Sequence, residues 1–188
     1  MSASDLIQRF MFEGLDIRGV RVRLSEGWQS MLRGRGYGPV VTRLLGEVTV
    51  VSLMVGGQLK QPGRLTVQVR GNGAVSMLVV DCDQQLRIRG MASAPADLVE
   101  APLPELLGDG HLVMTMQPES APTPYQSVVP LEGATVAEVF EHFLEQSEQQ
   151  PTALWLAADG DTASGLFLQK LPGADQRDAD GWARVCHL

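Results

Sequence analysis

The stretch Gly63-Arg-Leu-Thr-Val-Gln-Val-Arg-Gly-Asn-Gly-Ala-Val-Ser-Met-Leu-Val-Val80 decides the fold class. Apolar and polar residues alternate from Leu65 to Arg70, which predicts a strand with one buried face. Gly71-Asn-Gly73 supplies residues that tolerate positive φ, as a tight hairpin requires. Val75–Val80 is apolar on both faces and predicts a central strand, and Leu86–Arg89 alternates again. This region therefore predicts an antiparallel meander.

A long apolar segment precedes the meander and predicts a buried helix. Between Val40 and Leu59 the apolar residues follow helical spacing, and the second half is apolar all round. Pro39 suits the first turn of this helix, where no backbone N–H is needed. A short helix over Glu26–Arg33 comes before it and is closed by the glycine-rich Gly34–Gly38. The long helix is therefore expected at the centre of the domain.

The remaining periodic segments predict further strands and one amphipathic helix. Thr135 and Glu138 have the spacing of a capping box and predict the start of that helix. Strands are predicted within Leu6–Leu24 and at His111–Met116, Gln126–Leu131, Ala153–Ala158 and Gly165–Leu171. The fold class is therefore α+β, with mostly antiparallel sheets packed with a buried central helix and a few further helices.

The chain divides into one core and a short final segment. Residues 1–173 carry all the periodic segments and are expected to form a single domain. Residues 174–188 are polar until Trp182 and Val185, and they begin a helix that does not complete. We expect this segment to be the start of a linker region in a truncated chain.

The charge and the cysteines restrict the partners and the compartment. Fifteen basic and twenty-two acidic residues give a net charge of −7, so neither nucleic acid nor a membrane is an expected partner. The apolar run Val48–Leu59 is too short to cross a bilayer, and Met1–Asp5 does not begin a signal peptide. Two distant cysteines favour a reducing, cytoplasmic setting. Six early arginines predict either a solvated basic face or an anion site: Arg18, Arg21, Arg23, Arg33, Arg35 and Arg43.

Groups for catalysis or metal binding do not cluster in the sequence. His111, His142 and His187 lack the local spacing of metal ligands. Cys82 lies between Asp81 and Asp83, and two carboxylates raise the pKa of a thiol and disfavour a nucleophile. The sequence therefore predicts no catalytic residue, no cofactor site and no metal site.

Apolar residues on the strands are the remaining candidates for function. Methionine adapts to irregular apolar partners, and an exposed apolar sheet face is a binding surface. The same residues would otherwise fill the core, and the sequence leaves both interpretations open. The candidates for the binding surface are Met77, Val79, Met114 and Met116.

A series of short motifs, in order, resembles the bacterial heat shock protein 33 family of chaperones. The match extends from about residue 5 to residue 173, and its motifs are specific only as an ordered set. They include Asp5-Leu-Ile-Gln-Arg-Phe-Met-Phe-Glu-Gly14, Tyr37-Gly-Pro39, Arg43-Leu-Leu-Gly-Glu47, Gly63-Arg-Leu-Thr-Val67, Leu106-Leu-Gly-Asp-Gly110, Val129-Pro-Leu-Glu-Gly133 and Gly165-Leu-Phe-Leu-Gln169.

The resemblance implies an ATP-independent holdase that binds unfolding proteins under heat or oxidative stress in the cytoplasm and acts as a dimer. Domain swapping in that dimer stays an open alternative. Family members also carry a C-terminal Cys-x-Cys and Cys-x-x-Cys that hold zinc and act as a redox switch. This chain contains neither motif, so zinc is expected only in a domain that is missing here. No redox role is carried over to Cys82 or Cys186.

Two other functions compete with the holdase core. The chain could be an interaction module that recognises one folded partner, such as a translation factor. An enzyme would require that His111, Glu132 or Asp159 cluster in one cleft. We expect client binding that does not depend on oxidant.

Overall fold

The computed structural model describes residues 4–59, 62–121 and 123–187 of the chain. The expected boundaries at residues 1 and 188, and the first three residues of the segment considered as a signal peptide, lie outside these ranges. The strands in the described ranges are β1 (Leu6–Phe12), β2 (Ile17–Leu24), β3 (Gly63–Arg70), β4 (Met77–Cys82), β5 (Ile88–Ser93), β6 (His111–Pro118), β7 (Tyr125–Val129), β8 (Thr152–Ala158) and β9 (Ala163–Lys170). The helices are α1 (Glu26–Leu32), α2 (Pro39–Gly56), α3 (Leu103–Leu107), α4 (Val136–Glu148), α5 (Ala174–Arg177) and α6 (Gly181–Cys186).

The strands form two sheets in which every neighbouring pair is antiparallel. One sheet has four strands in the order β1-β2-β9-β8, and the other has five in the order β5-β4-β3-β6-β7. The meander β3-β4-β5 is present as predicted, although β3 and not β4 lies at the centre of its sheet. The α+β prediction is confirmed.

Helix α2 lies between the two sheets and forms the middle layer of the molecule. It contacts strands of both sheets, and Leu45, Val50, Val51 and Leu53 are fully buried. It begins at Pro39 as predicted and ends at Gly56, where the Gly57 N–H donates to the Leu53 carbonyl at 2.8 Å. The predicted buried central helix is confirmed, with its end three residues earlier than expected.

The length and composition of α2 would also allow it to cross a membrane, contrary to the expectation from its apolar run. However, 78% of this helix is buried inside the protein. Its hydroxyl groups are satisfied locally, because Thr49 donates to the Leu45 carbonyl and Ser52 to the Val48 carbonyl. These features are those of a core helix.

The turn between β3 and β4 uses its glycines for a reason other than the predicted one. Neither Gly71 nor Gly73 has a positive φ. A Cβ at Gly71 would lie 2.4 Å from the Leu107 carbonyl oxygen, and one at Gly73 would lie 2.5 Å from that of Leu106. The expectation of a positive-φ hairpin was therefore wrong, since these glycines allow the backbone of the last turn of α3 to approach closely.

Helix α4 begins at the predicted capping box. The Glu138 N–H donates to the Thr135 hydroxyl at 3.2 Å, and the Glu138 carboxylate accepts from the Ala134 N–H at 2.6 Å. These bonds satisfy donors that a helix N-terminus leaves open. Phe140 then anchors α4 in the core, where its side chain is fully buried.

Candidate functional site

The outer face of the five-stranded sheet, here called the five-strand face, carries a row of side chains that are apolar on four of its five strands. Strand pairing places directly opposite residues on the same face, and this row crosses all five strands. Met91 is 40% exposed and Val128 is 66% exposed at its two ends. The neighbouring row on this face carries uncharged Thr66 and Thr115 and the charged residues Asp81 and Arg89. The row consists of Met91, Val79, Gln68, Val113 and Val128.

The structure separates the four residues predicted for binding. Met77 and Val79 lie half-buried on the five-strand face. Met114 and Met116 have the opposite orientation and lie on the inner side of the sheet. An exposed position was expected for Met114, but its side chain is only 4% exposed and belongs to the core. The register of β6 against β3 turns this side chain inward. The binding role of all four residues stays a prediction.

The outer face of the four-stranded sheet, here called the four-strand face, is also apolar and is partly covered. Residues 174–187, here called the cover segment, contain α5 and α6 and pack on one half of it. Val185 lies against Ile17 and Leu168, which are 0% and 2% exposed, and Trp182 packs beside them. The final helix that the sequence predicted to be incomplete therefore forms two short helices over this face.

Ion pairs fasten the cover segment to the sheet and its loops. Arg177 pairs with Asp16 at 2.6 Å and also donates to the Glu13 carbonyl at 3.0 Å. Lys170 pairs with Asp175 at 2.5 Å. Solvent-exposed pairs of this kind contribute little each, typically about 0–1 kcal/mol. The apolar contact of Val185 and Trp182 is therefore the main attachment.

The other half of the four-strand face is open. Trp155 is 42% exposed and stands beside Leu166, with Arg21 next to Leu166 on β2. These residues and Arg23 line a shallow groove of about 450 Å³. An aromatic ring, an aliphatic side chain and two arginines at one place form a surface for an apolar partner with some negative charge.

Most of these exposed residues have no direct signal in the sequence. Val113, Val128, Trp155 and Leu166 become surface residues only through the register of strands distant in the chain. The segment Tyr125–Val129 does not alternate clearly, so periodicity could not identify Val128. For Met91 the sequence contains a weak signal of exposure, because this residue continues a strand in which apolar residues alternate with arginines.

The three titratable residues considered for an enzyme, His111, Glu132 and Asp159, do not lie in one cleft in the described part of the chain. His111 begins β6, whereas Asp159 lies in the turn between β8 and β9 of the other sheet. Glu132 offers its backbone carbonyl to His142 at 2.7 Å. Within the described ranges, no three histidine, cysteine or acidic side chains are arranged to hold a metal ion.

The two cysteines do not fit a zinc site or a redox pair. Cys82 is buried, and burial, followed by the charges of Asp83 and Asp81, raises the pKa of its thiol to about 12. Burial and, to a smaller extent, the charge of Glu141 raise the pKa of Cys186. A structural zinc ion takes four ligands, often thiolates, and 188 residues with two distant cysteines do not supply such a set. The weak-nucleophile prediction for Cys82 agrees with this pKa.

Helix α4 closes one edge of the four-stranded sheet. Strand β8 is an edge strand, and two of its N–H groups donate to carboxylates of α4. Leu154 donates to Glu141 at 2.6 Å, and Thr152 donates to Glu145 at 3.1 Å. Unpaired edge groups are templates for another strand, so α4 protects this edge from pairing.

The carboxyl of Glu141 should make stability depend on pH. Burial raises its pKa, although the bond from the Leu154 N–H and the charge of His142 act to lower it. The folded state thus binds this proton more readily than the unfolded state, whose pKa is about 4.3. This contribution to the free energy of unfolding is present below the unfolded pKa and is lost as pH rises through the folded pKa.

Glu141→Gln keeps an acceptor for Leu154 but cannot ionise. We expect its free energy of unfolding, relative to wild type, to increase as pH rises from about 4 to about 7. Denaturation in urea at several pH values measures this difference. Glu141→Ala is the control, and it should be less stable than Glu141→Gln by about 1–3 kcal/mol because the Leu154 N–H loses its partner. A pH-independent difference between Glu141→Gln and wild type would contradict the prediction.

Comparison with known proteins identifies related sequences over nearly the whole chain. A family model described as Hsp33 protein matches residues 5–187. The 33 kDa chaperonin of Shewanella sp. (strain ANA-3) is 39% identical over 185 residues, which cover 98% of this chain and 64% of that protein. The 33 kDa chaperonin of Methylobacillus flagellatus is 36% identical over 190 residues, which cover 100% of this chain and 65% of the relative. The chain thus spans slightly less than two thirds of the length of these relatives.

A solved structure shares the fold. The crystal structure of the 33 kDa chaperonin (heat shock protein 33 homolog) from Thermotoga maritima superposes with a TM-score of 0.75. The alignment covers 88% of this chain and 61% of that one, at 23% sequence identity. The arrangement of two sheets and a central helix is therefore also found in an experimental structure.

Proposed function

We propose that this chain, which belongs to the Hsp33 protein family, binds unfolding proteins as an ATP-independent holdase. This is the family that the sequence motifs resemble. Membership of it agrees with the prediction that the chain is not an enzyme. The observation that carries the proposal is the pair of apolar faces on opposite sides of the molecule. Apolar surfaces of this kind bind partners by non-directional burial, without a fixed partner sequence.

The five-strand face is the proposed principal site for clients. Its central row is apolar from Met91 to Val128 except at Gln68. Met77 and Val79 contribute to this surface directly, whereas Met114 and Met116 would support it from the inner side. Few charges interrupt the row, which favours capture of exposed apolar segments in unfolding proteins under heat or oxidative stress.

We assign residues 1–173 to the client-binding core and residues 174–188 to a segment that regulates access to the four-strand face. The proposed setting is the cytoplasm, and a homodimer is the proposed assembly. We expect this activity not to depend on oxidant. Burial raises the pKa of both cysteine thiols, which disfavours the thiolate form that reacts with oxidants.

Suppression of aggregation is the direct test. The purified chain should reduce light scattering from a thermally unfolding enzyme at about stoichiometric amounts, without nucleotide and equally with or without peroxide. Failure to slow aggregation would contradict the proposal. A pull-down dominated by one folded partner would instead favour a specific interaction module, such as one for a translation factor.

Val128→Asp tests the five-strand face, because it places a charge at the most exposed apolar position of the row. We expect client capture to fall by about tenfold, since burying an unpaired charge beside an apolar client segment is costly. Val99→Asp is the matched control, because Val99 is 78% exposed on the loop between β5 and α3 and belongs to neither sheet. The two variants should be equally stable, and equal capture by them would exclude this face.

A further inference from the structure

Strand β1 is an open edge with apolar side chains on both sides. None of its seven residues is buried, and Leu6, Met11 and Phe12 are 39%, 51% and 36% exposed. Its main contact is β2, whereas the edge strands β5 and β7 of the other sheet each pack against a helix. Long apolar edges without proline or lysine are sites at which another strand adds.

The two edges of the four-stranded sheet differ sharply. At β8, the carboxylates of Glu141 and Glu145 occupy edge N–H groups. At β1, no helix or loop in the described part of the chain provides an equivalent acceptor. The same sheet thus protects one edge and leaves the other available.

The backbone groups at this open edge follow from the pairing pattern. The Leu171 N–H donates to the Asp16 carbonyl at 2.9 Å, and hydrogen-bonded pairs alternate along an antiparallel ladder. From Asp16 onward, even-numbered residues of β2 therefore bond to β9 and odd-numbered ones to β1. In β1 this leaves three residues whose N–H and C=O groups point away from the sheet: Ile7, Arg9 and Met11.

Charge near this edge favours an acidic partner. Strands β1 and β2 together carry four arginines and no acidic residue, in a chain with a net charge of −7. Arg18 pairs with Glu148 at 3.1 Å. Within the described ranges, the other three have no carboxylate within ion-pair distance: Arg9, Arg21 and Arg23.

The same charges oppose pairing of β1 with β1 of a second copy. Such a pair would bring eight arginines of two hairpins together, and the strands themselves contain no carboxylate to neutralise them. Like charges on neighbouring strands destabilise a sheet. An extended segment in which apolar residues alternate with Asp or Glu has the opposite charge and the matching periodicity.

We propose that the free edge of β1 binds an extended acidic and apolar segment of a client by strand addition. The added strand pairs with the N–H and C=O groups of Ile7, Arg9 and Met11. Its carboxylates lie on the side of the sheet that carries Arg21 and Arg23, and its apolar residues extend the exposed surface of Met11 on the other side. This inference rests on the proposed function only for the source of the segment, an unfolding protein.

Binding of two synthetic peptides tests the proposal. One alternates valine with glutamate, and the other has lysine in place of every glutamate; both have blocked termini. We expect the acidic peptide to bind about tenfold or more tightly than the basic one and to weaken as salt increases. Hydrogen exchange measured by NMR should show slower exchange at Ile7, Arg9 and Met11 on binding. Unchanged exchange at these amides with saturating acidic peptide would overturn the proposal.

Two sets of variants locate the binding site. Met11→Pro removes one outward N–H and should abolish binding, whereas Met11→Thr keeps that N–H and should recover most of the binding that Met11→Pro loses. Arg21→Glu with Arg23→Glu should reverse the preference between the peptides. Arg33→Glu with Arg35→Glu makes the same change in net charge at exposed positions beyond α1 and should leave the preference unchanged. Equal behaviour of the two double variants would refute the electrostatic part.

Mass measurement and client assays separate the remaining outcomes. A dimer that protects the same three amides without peptide would show that the edge is a self-interface and would overturn the proposal. Peptide binding at β1 by a chain that does not suppress aggregation would support the edge site and contradict the holdase function. Suppression of aggregation with no peptide binding would support the holdase function and contradict the edge site.

Discussion

Trp28→Ala is expected to lower the free energy of unfolding by about 4 kcal/mol, a large share of the 5–15 kcal/mol typical of a domain. The Trp28 side chain is fully buried, and its indole N–H donates to the Asp159 carbonyl at 2.7 Å. The ring lies against α2 at Gly46, where an added Cβ would approach it within 3.2 Å. Trp28 therefore joins α1, the central helix and the turn between β8 and β9, and alanine would leave a cavity at this junction.

Urea denaturation followed by circular dichroism measures this loss, and the melting temperature should fall by about 8–16 °C. Trp155→Ala is the matched control, since Trp155 is exposed on the four-strand face. Its cost should stay below about 1 kcal/mol, while binding of apolar ligands decreases. A loss below about 1 kcal/mol for Trp28→Ala would contradict the packing described for α1.

Release of the cover segment is expected to produce the largest change in surface properties. In Trp182→Ala with Val185→Asp, a charge replaces the side chain that buries Ile17 and Leu168. The remaining surface ion pairs are too weak to hold the segment against the cost of burying this charge. We expect fluorescence of a hydrophobic dye to rise about fivefold or more, because the covered half of the four-strand face becomes exposed.

Methyl NMR signals of Ile17 and Leu168 report the same event, since both should shift towards solvent-exposed values. Val99→Asp introduces a charge at an exposed valine and should leave dye binding unchanged. If the double variant binds no more dye than wild type while remaining folded, the cover segment does not control this face.

Local patterns in the sequence were sufficient for most of the elements. The alternation around Val67, the capping box at Thr135 and the helical spacing after Pro39 each depend on neighbouring residues only, and each prediction agrees with the structure. The end of α2 at Gly56 and the role of Gly71 were missed because they depend on tertiary contacts. Gly71 is opposite the Leu107 carbonyl, and nothing in the local sequence identifies that approach.

The candidate surfaces were harder to predict than the fold. Met77 and Met114 look equivalent in sequence, yet the pairing of β3 with its two neighbours places them on opposite sides of one sheet. The cover segment was predicted as an incomplete helix, because its partners Ile17 and Leu168 lie far away in the chain. Surface exposure depends on register and on long-range packing, which one sequence does not reveal.

The position of α2 between the sheets has a consequence for the strength of binding. The outer faces of a sheet, helix and sheet stack are on the order of 20 Å apart, so one molecule presents two separated apolar sites. A short peptide reaches one of them, whereas a long unfolded chain can pass around an edge and occupy both. The second contact then forms at a high effective concentration, and retention by avidity increases with client length.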